Sequence, residues 1–353
     1  MTPRPAIPAR PAAAPAAGFT LLELVVVLAI LGILTLLASQ NIATRQHDLR
    51  ARESDRILAA LGTAVLGDPW SDDAPPSFAG DLGRLPRALP ATNAAGERVL
   101  ALSELAVRPA DVPPYALRPA TDANRSPASA PHRPMDDDVR VPCGWRGPYL
   151  PLPPASPASA SSAGLFRDAW GNPFTSATTN APAVPANRLL PAASADGSAS
   201  TAIDPGAPVA AIRHLGSDGV PGERPGAPAT RDRILPLDPA ASLAGDLFWP
   251  ENDEADPALS AVVRLYGPEP VPGEDSPPVR IWETTLSRNG AFAHWTLDDP
   301  AIAAGPRVLR IALLTASGAE RPSIPFPIRL RPGPNTLSLD CRDAAHLDIK
   351  RSF

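Results

Sequence analysis

The chain has 353 residues with 32 Lys+Arg against 37 Asp+Glu, a length suited to two domains with additions and a formal charge of −5 that gives no reason to expect nucleic acid as a partner. Its 48 prolines far exceed the usual share of about one residue in twenty, and the Pro/Ala-rich stretches hold too few bulky apolar residues to build a core, so long loops are expected. Every basic residue but Lys350 is arginine, a bias that a GC-rich genome produces without functional demand.

From Phe19 to Ala38 the chain is apolar except for Glu23, and no further charge comes before Arg45. That length spans a bilayer as a helix. Arg4 and Arg10 ahead of it place the N-terminus in the cytoplasm and the rest of the chain across the membrane. A secretory signal peptide, with "LLAS" at Leu36–Ser39 as its cleavage site, and a plain anchor are two readings of this segment. Neither accounts for Glu23, because a carboxylate in hydrocarbon costs on the order of 3 kcal/mol or more.

The run "GFTLLELVVVLAILGIL" from Gly18 resembles the N-terminal cleavage and methylation motif of type IV pilins and type II secretion pseudopilins. The resemblance implies cutting between Gly18 and Phe19 by a prepilin peptidase, N-methylation of Phe19, and an assembly role for Glu23 at the family's fifth mature position. Cleavage leaves a cationic amine at Phe19, close to the Glu23 carboxylate and to the positive end of the helix. In the family that acid meets the amine of a neighbouring subunit. The leader of 18 residues departs from the family pattern in being long, rich in Pro and Ala, and sparsely basic. Beyond Ala38, Leu49, Ile57, Leu58, Leu61 and Val65 recur at helical spacing among charged residues, and Gly67 and Pro69 end the pattern, so one helix over 19–66 is expected.

Residues 78–90, "FAGDLGRLPRALP", read as turns between apolar residues and weakly resemble a pseudopilin segment. Residues 107–140 read as linker, with Asp136, Asp137 and Asp138 as a solvated acidic run. The block Asp168-Ala169-Trp170-Gly171-Asn172-Pro173-Phe174 resembles the D-x-W-G-N-P-aromatic signature of major pseudopilins, a tight turn with Trp170 and Phe174 anchoring its flanks. Residues 212–222, "IRHLGSDGVPG", resemble the pseudopilin turn that leads into a calcium loop, making Asp218 and Asp232 candidate oxygen ligands; a plain Gly-rich turn fits the same residues, with His214 as a packing or surface side chain.

The resemblance ends near residue 245. Alternating segments then follow at Val262–Tyr266, Val279–Leu286, Ala291–Leu297, Val308–Leu314, Ile328–Arg331 and Thr336–Cys341, separated by turns, and read as an antiparallel β-sandwich. Ser287, His294 and Asp298 lie near one another without forming a recognisable catalytic set, and no enzyme activity is expected. Trp282 and Trp295 read either as core residues or, if exposed, as a platform for sugar or a partner. Cys143 and Cys341 sit in no CxxC, which argues against zinc; they read as one disulfide or as two buried thiols.

The expected fold is therefore α+β: leader 1–18, transmembrane and assembly helix 19–66, a pseudopilin-like head 67–245 with Pro/Ala-rich loops, and an appended antiparallel β-sandwich 246–353. The expected function is a pilin-like subunit of a type II secretion or type IV pilus-like filament, single-pass in the bacterial inner membrane with its head periplasmic or extracellular. Its partners would be the prepilin peptidase, other pilin or pseudopilin subunits and the inner-membrane assembly platform, with no cofactor required beyond the calcium ion just considered. The alternative is a membrane-anchored or filament-displayed adhesin using the sandwich.

Overall fold

The computed structural model describes residues 21–68, 76–92, 98–151, 165–177, 188–191, 203–216, 232–250, 258–269 and 279–341. The architecture is α+β, one long N-terminal helix followed by sheets of mostly antiparallel strands. Residues 1–50 and 51–353 are two separate compact units.

Helix α1 covers Leu21–Leu66. It stops at Gly67, whose φ of 86° suits a residue without a Cβ and turns its N–H back onto the Thr63 carbonyl at 2.8 Å. Within the second unit, Ser54, Leu58, Leu61 and Val65 recur at helical spacing, and all are buried. Helix α2 (Phe78–Leu82) follows, where the sequence suggested only turns. Ser77 Oγ caps it by accepting from Gly80 N at 3.2 Å, and every one of its residues is buried.

Short strands come next: β1 (Leu89–Thr92), β2 (Arg98–Ala101), β3 (Ala116–Pro119), β4 (Arg140–Cys143), β5 (Thr175–Ala177), β6 (Arg188–Leu190), β7 (Ala211–His214) and β8 (Arg233–Pro236). They form two small sheets, β1-β2-β5 and β6-β7-β8, and a β3-β4 pair. Leu61 and Val65 of α1, Phe78 and Leu82 of α2, and Leu100, Phe174, Leu189 and Ile212 share the first core.

The remaining strands are β9 (Ala241–Phe248), β10 (Ala258–Pro268), β11 (Val279–Ser287), β12 (Phe292–Leu297), β13 (Gly305–Thr315), β14 (Glu320–Pro322), β15 (Phe326–Leu330), β16 (Gly333–Thr336) and β17 (Leu339–Asp340). One sheet runs β11-β10-β13 with β14 and β15 on the far edge of β13; the other runs β12-β9-β16 with β17 also on β9. Their inner faces enclose the second core, with Leu247, Trp249, Val263, Leu265, Trp295 and Ile311 among its members. Each such side chain contributes roughly 1.5–3 kcal/mol by leaving water. The sandwich begins at Ala241, so residue 245, the expected boundary, lies inside β9. Thr336–Cys341 is not one strand: Leu337 N bonds Ala244 O at 2.9 Å between β16 and β17, and both run parallel to β9. Leu337, Leu339 and Cys341 do share the buried face.

Residues 107–140 are not a linker. With β4 they form an arm whose Ala120, Val139 and Val141 pack against Tyr266, Val279, Ile281 and Val308 on the outer face of the larger sheet. Of the acidic run, Asp137 and Asp138 are exposed as the sequence suggested, whereas Asp136 is buried. Arg264 of β10 and Arg310 of β13 are direct neighbours in register on that face, and both are buried. Two adjacent buried guanidinium groups need anions. Asp136, fully buried, binds Arg264 Nη1 at 2.5 Å and accepts from Tyr266 Oη at 2.5 Å and Arg133 N at 2.8 Å. Asp138 pairs with Arg310, Glu283 with Arg264, and Asp137 with His132 Nε2 at 3.0 Å.

A third buried cation fastens α2 to the sandwich. Arg307 of β13 donates to the carbonyls of Gly80 (2.9 Å) and Ala303 (2.5 Å), and burial lowers its pKa to about 10. The backbones of Gly80 and Gly305 abut so closely that a Cβ on Gly305, whose φ is 129°, would stand 2.2 Å from Gly80 Cα. Beside them Asp81 is buried, faced by Arg146 at 3.2 Å, by the Tyr149 hydroxyl at 3.0 Å, and by the more distant charges of Arg307 and Arg329. Burial outweighs these partners and pushes its carboxyl up to about 6. A raised folded-state value stabilises the fold below the unfolded value near 4 and loses that stabilisation as pH rises through about 6. Thermal unfolding followed from about pH 4 to pH 7.5 should therefore lose roughly 3 kcal/mol from this group, and Asp81→Asn should flatten that part of the profile.

Candidate assembly site

The first unit carries the apolar half of α1. Leu21, Leu22, Leu24, Leu28, Leu31, Ile33, Leu34 and Leu37 are all exposed, on every side of the helix. A helix apolar all round needs an apolar surrounding, lipid or other helices. Among the described residues this one helix is long and apolar enough to cross a membrane. Its hydroxyls are arranged for such a setting. Thr35 Oγ1 donates to Leu31 O at 2.7 Å, Ser39 Oγ to Leu36 O at 2.8 Å and Thr44 Oγ1 to Gln40 O at 3.0 Å. Each polar group is satisfied within the helix and asks nothing of water.

Glu23 is the acid of the first turn, exposed among these side chains. In the first turn of any helix the backbone N–H groups lack intrahelical acceptors and carry partial positive charge, which favours a carboxylate. Gly18 and Phe19, the expected cleavage pair, lie outside the described residues.

The Asp168–Phe174 block is a tight turn built on one carboxylate. Asp168 Oδ1 accepts from Trp170 N at 2.9 Å and Asn172 N at 2.8 Å, while Gly171 takes a φ of 88°. Ala169 N donates to Ser54 Oγ of α1 at 3.1 Å, so the turn is fastened to the helix. Phe174 is buried in the first core and Trp170 is half-buried. His214 is a packing residue: it is buried, its Nε2 lies 3.3 Å from Asp168 Oδ2, and its ring stands 5.6 Å from Trp170 and 6.5 Å from Phe174. Sequence spacing could not show that partnership across more than forty residues.

Of the calcium pair, Asp218 lies outside the described residues and Asp232 is ion-paired with Arg213 at 2.7 Å. Among the described residues no three His, Cys, Asp or Glu side chains group as a metal ion would require. Cys143 and Cys341 are both free and buried, and burial pushes their thiols up to about 11 and about 12. Trp282 and Trp295 are core residues of the sandwich, not an exposed platform. His294 meets Asp246 at 3.2 Å on the sandwich surface rather than joining Ser287 and Asp298.

Residues 14–39 match the family model described as the prokaryotic N-terminal methylation motif. No curated protein and no solved structure matches the chain.

Proposed function

We propose that this chain, which carries the prokaryotic N-terminal methylation motif at residues 14–39, is a pilin-type filament subunit processed by prepilin peptidase, in a specialised position of a type II secretion or pilus-like filament. The observation that carries the reading is the register of the motif on α1: cleavage after Gly18 would put Glu23 in the first turn of a helix whose whole apolar surface is exposed. Before assembly that surface is held in the inner membrane, N-terminus in the cytoplasm, where the assembly platform collects subunits. In the filament the same surface packs against other subunits. The family is one of structural subunits, and the sandwich adds bulk beside the first core that a repeating major subunit would have to fit around each neighbour. A specialised position answers that constraint. The adhesin alternative keeps the same stem and uses the sandwich for display, without Trp282 and Trp295, which are buried.

Mass spectrometry of the mature protein tests the proposal. It should begin at N-methylated Phe19; a protein that retains Met1, or that begins at residue 40, overturns the reading.

A further inference from the structure

The larger sheet of the sandwich ends at β11, and the arm covers only part of that edge. In an antiparallel strand a residue gives both of its backbone groups to the same side. Ile281 takes Ser129 Oγ on its N–H at 3.1 Å and Ala130 N on its carbonyl at 2.9 Å, and Val279 O accepts from Ser126 N at 2.9 Å. The odd-numbered residues of β11 thus turn their backbones away from β10. Next in line are Glu283, Thr285 and Ser287, where the arm has left the edge; among the described residues no backbone hydrogen bond reaches their outward groups. The smaller sheet ends the same way. Trp249 N bonds Ala291 O at 3.0 Å, so the register leaves Phe292, His294 and Thr296 of β12 facing outward.

Between these two open edges lies a cleft of about 480 Å³, lined by Ala130 of the arm, by Arg280, Trp282 and Thr284 of β11, and by Thr296 and Asp298. Arg280 and Thr284 are polar positions on the inward side of an otherwise apolar strand face. The Arg280 terminal nitrogens bind Glu269 at 2.5 Å and Asp299 at 2.8 Å, while its buried Nε has no acceptor. Asp298 is exposed at the rim and, among the described residues, is not tied to a cation as Asp299 is.

We propose that this cleft receives an extended peptide segment of another polypeptide, added as a strand to the open edge of β11 and carrying a lysine or arginine where it meets Asp298. The arm demonstrates that the edge accepts backbone partners one position upstream. Asp298, exposed at the rim, selects the charge of the incoming strand. Strand addition of this kind takes affinity from main-chain bonds and selectivity from side-chain pockets. Exposed edges are ordinarily blunted by proline, lysine or a bulge; Glu283–Ser287 has no proline and no lysine and pairs with β10 in unbroken register.

The test uses the full chain in detergent micelles with two synthetic peptides, TVTKVTV and TVTEVTV, read by backbone amide exchange. The lysine peptide should slow exchange at Glu283, Thr285 and Ser287 and bind about tenfold more tightly than the glutamate peptide. Thr285→Pro removes an outward N–H that no described residue uses, and should abolish protection without lowering the melting temperature appreciably. Asp298→Lys should reverse the preference between the peptides. Absence of protection at millimolar peptide, unchanged binding in folded Thr285→Pro, or an unchanged preference in Asp298→Lys overturns the proposal. So does protection of these amides by cellohexaose when neither peptide protects them.

Discussion

Glu23→Ala is expected to leave the chain fully membrane-inserted and to reduce assembled filament to a few per cent of wild type. Removing the carboxylate makes the apolar segment more lipid-compatible, since a charge there costs on the order of 3 kcal/mol. Insertion therefore cannot be what the residue serves. In a filament interior, the amine exposed at Phe19 by cleavage would be a buried cation, and removing its partner strands it. Breaking a buried pair costs about 3–5 kcal/mol, which is on the order of a hundredfold or more in each subunit addition. Immunoblots of the membrane fraction and of sheared filaments give both quantities from one culture. Glu23→Gln should fall between the two, because an amide can accept a hydrogen bond from the amine without neutralising it. Normal filament yield from Glu23→Ala would remove the assembly role.

The second large effect concerns the sandwich. Arg264→Met should destabilise the 51–353 unit by about 3–5 kcal/mol, because it leaves Asp136 buried without its guanidinium partner. Glu283 loses the same partner at the same time. Asp136→Asn should be milder, since in the same space the amide oxygen can accept from Arg133 N while the NH2 donates to Tyr266 Oη. The double variant should be less unstable than the sum of the two singles, and the difference measures the coupling. Thermal unfolding of the four proteins closes the cycle. Additive effects would show that the Asp136–Arg264 pair does not help to hold the arm.

What could be read in the sequence follows the distance over which each signal acts. The assembly helix and the cleavage register are written in contiguous residues, and α1 runs from Leu21 to Leu66 as the apolar spacing requires. The strands β10 to β13 show in the alternation of bulky residues. β9 escaped because its inward positions are Ala241, Leu243, Gly245 and Leu247, and alanine and glycine carry little apolar weight. Gly245 has to be small: a Cβ there would stand 1.8 Å from Leu337 O. The arm escaped for a different reason. Asp136 and Arg264 are 128 positions apart, so the burial of this one acid in an otherwise exposed run stays hidden until the sheet places an arginine beneath it. The Asp168 turn was legible because all its bonds lie within a few residues, whereas His214 could be placed beside it only by the fold.

The contact between Gly80 and Gly305 has a mechanical consequence. Helix α1 is locked to the first core through Leu58, Leu61 and Val65, α2 belongs to that same core, and α2 meets β13 backbone to backbone with Arg307 pinned across the seam. Such a joint has no side chain between the two glycines to slide. A pull on the sandwich is therefore passed to residues 54–65 of the helix through this backbone contact and the Arg307 bond to Gly80.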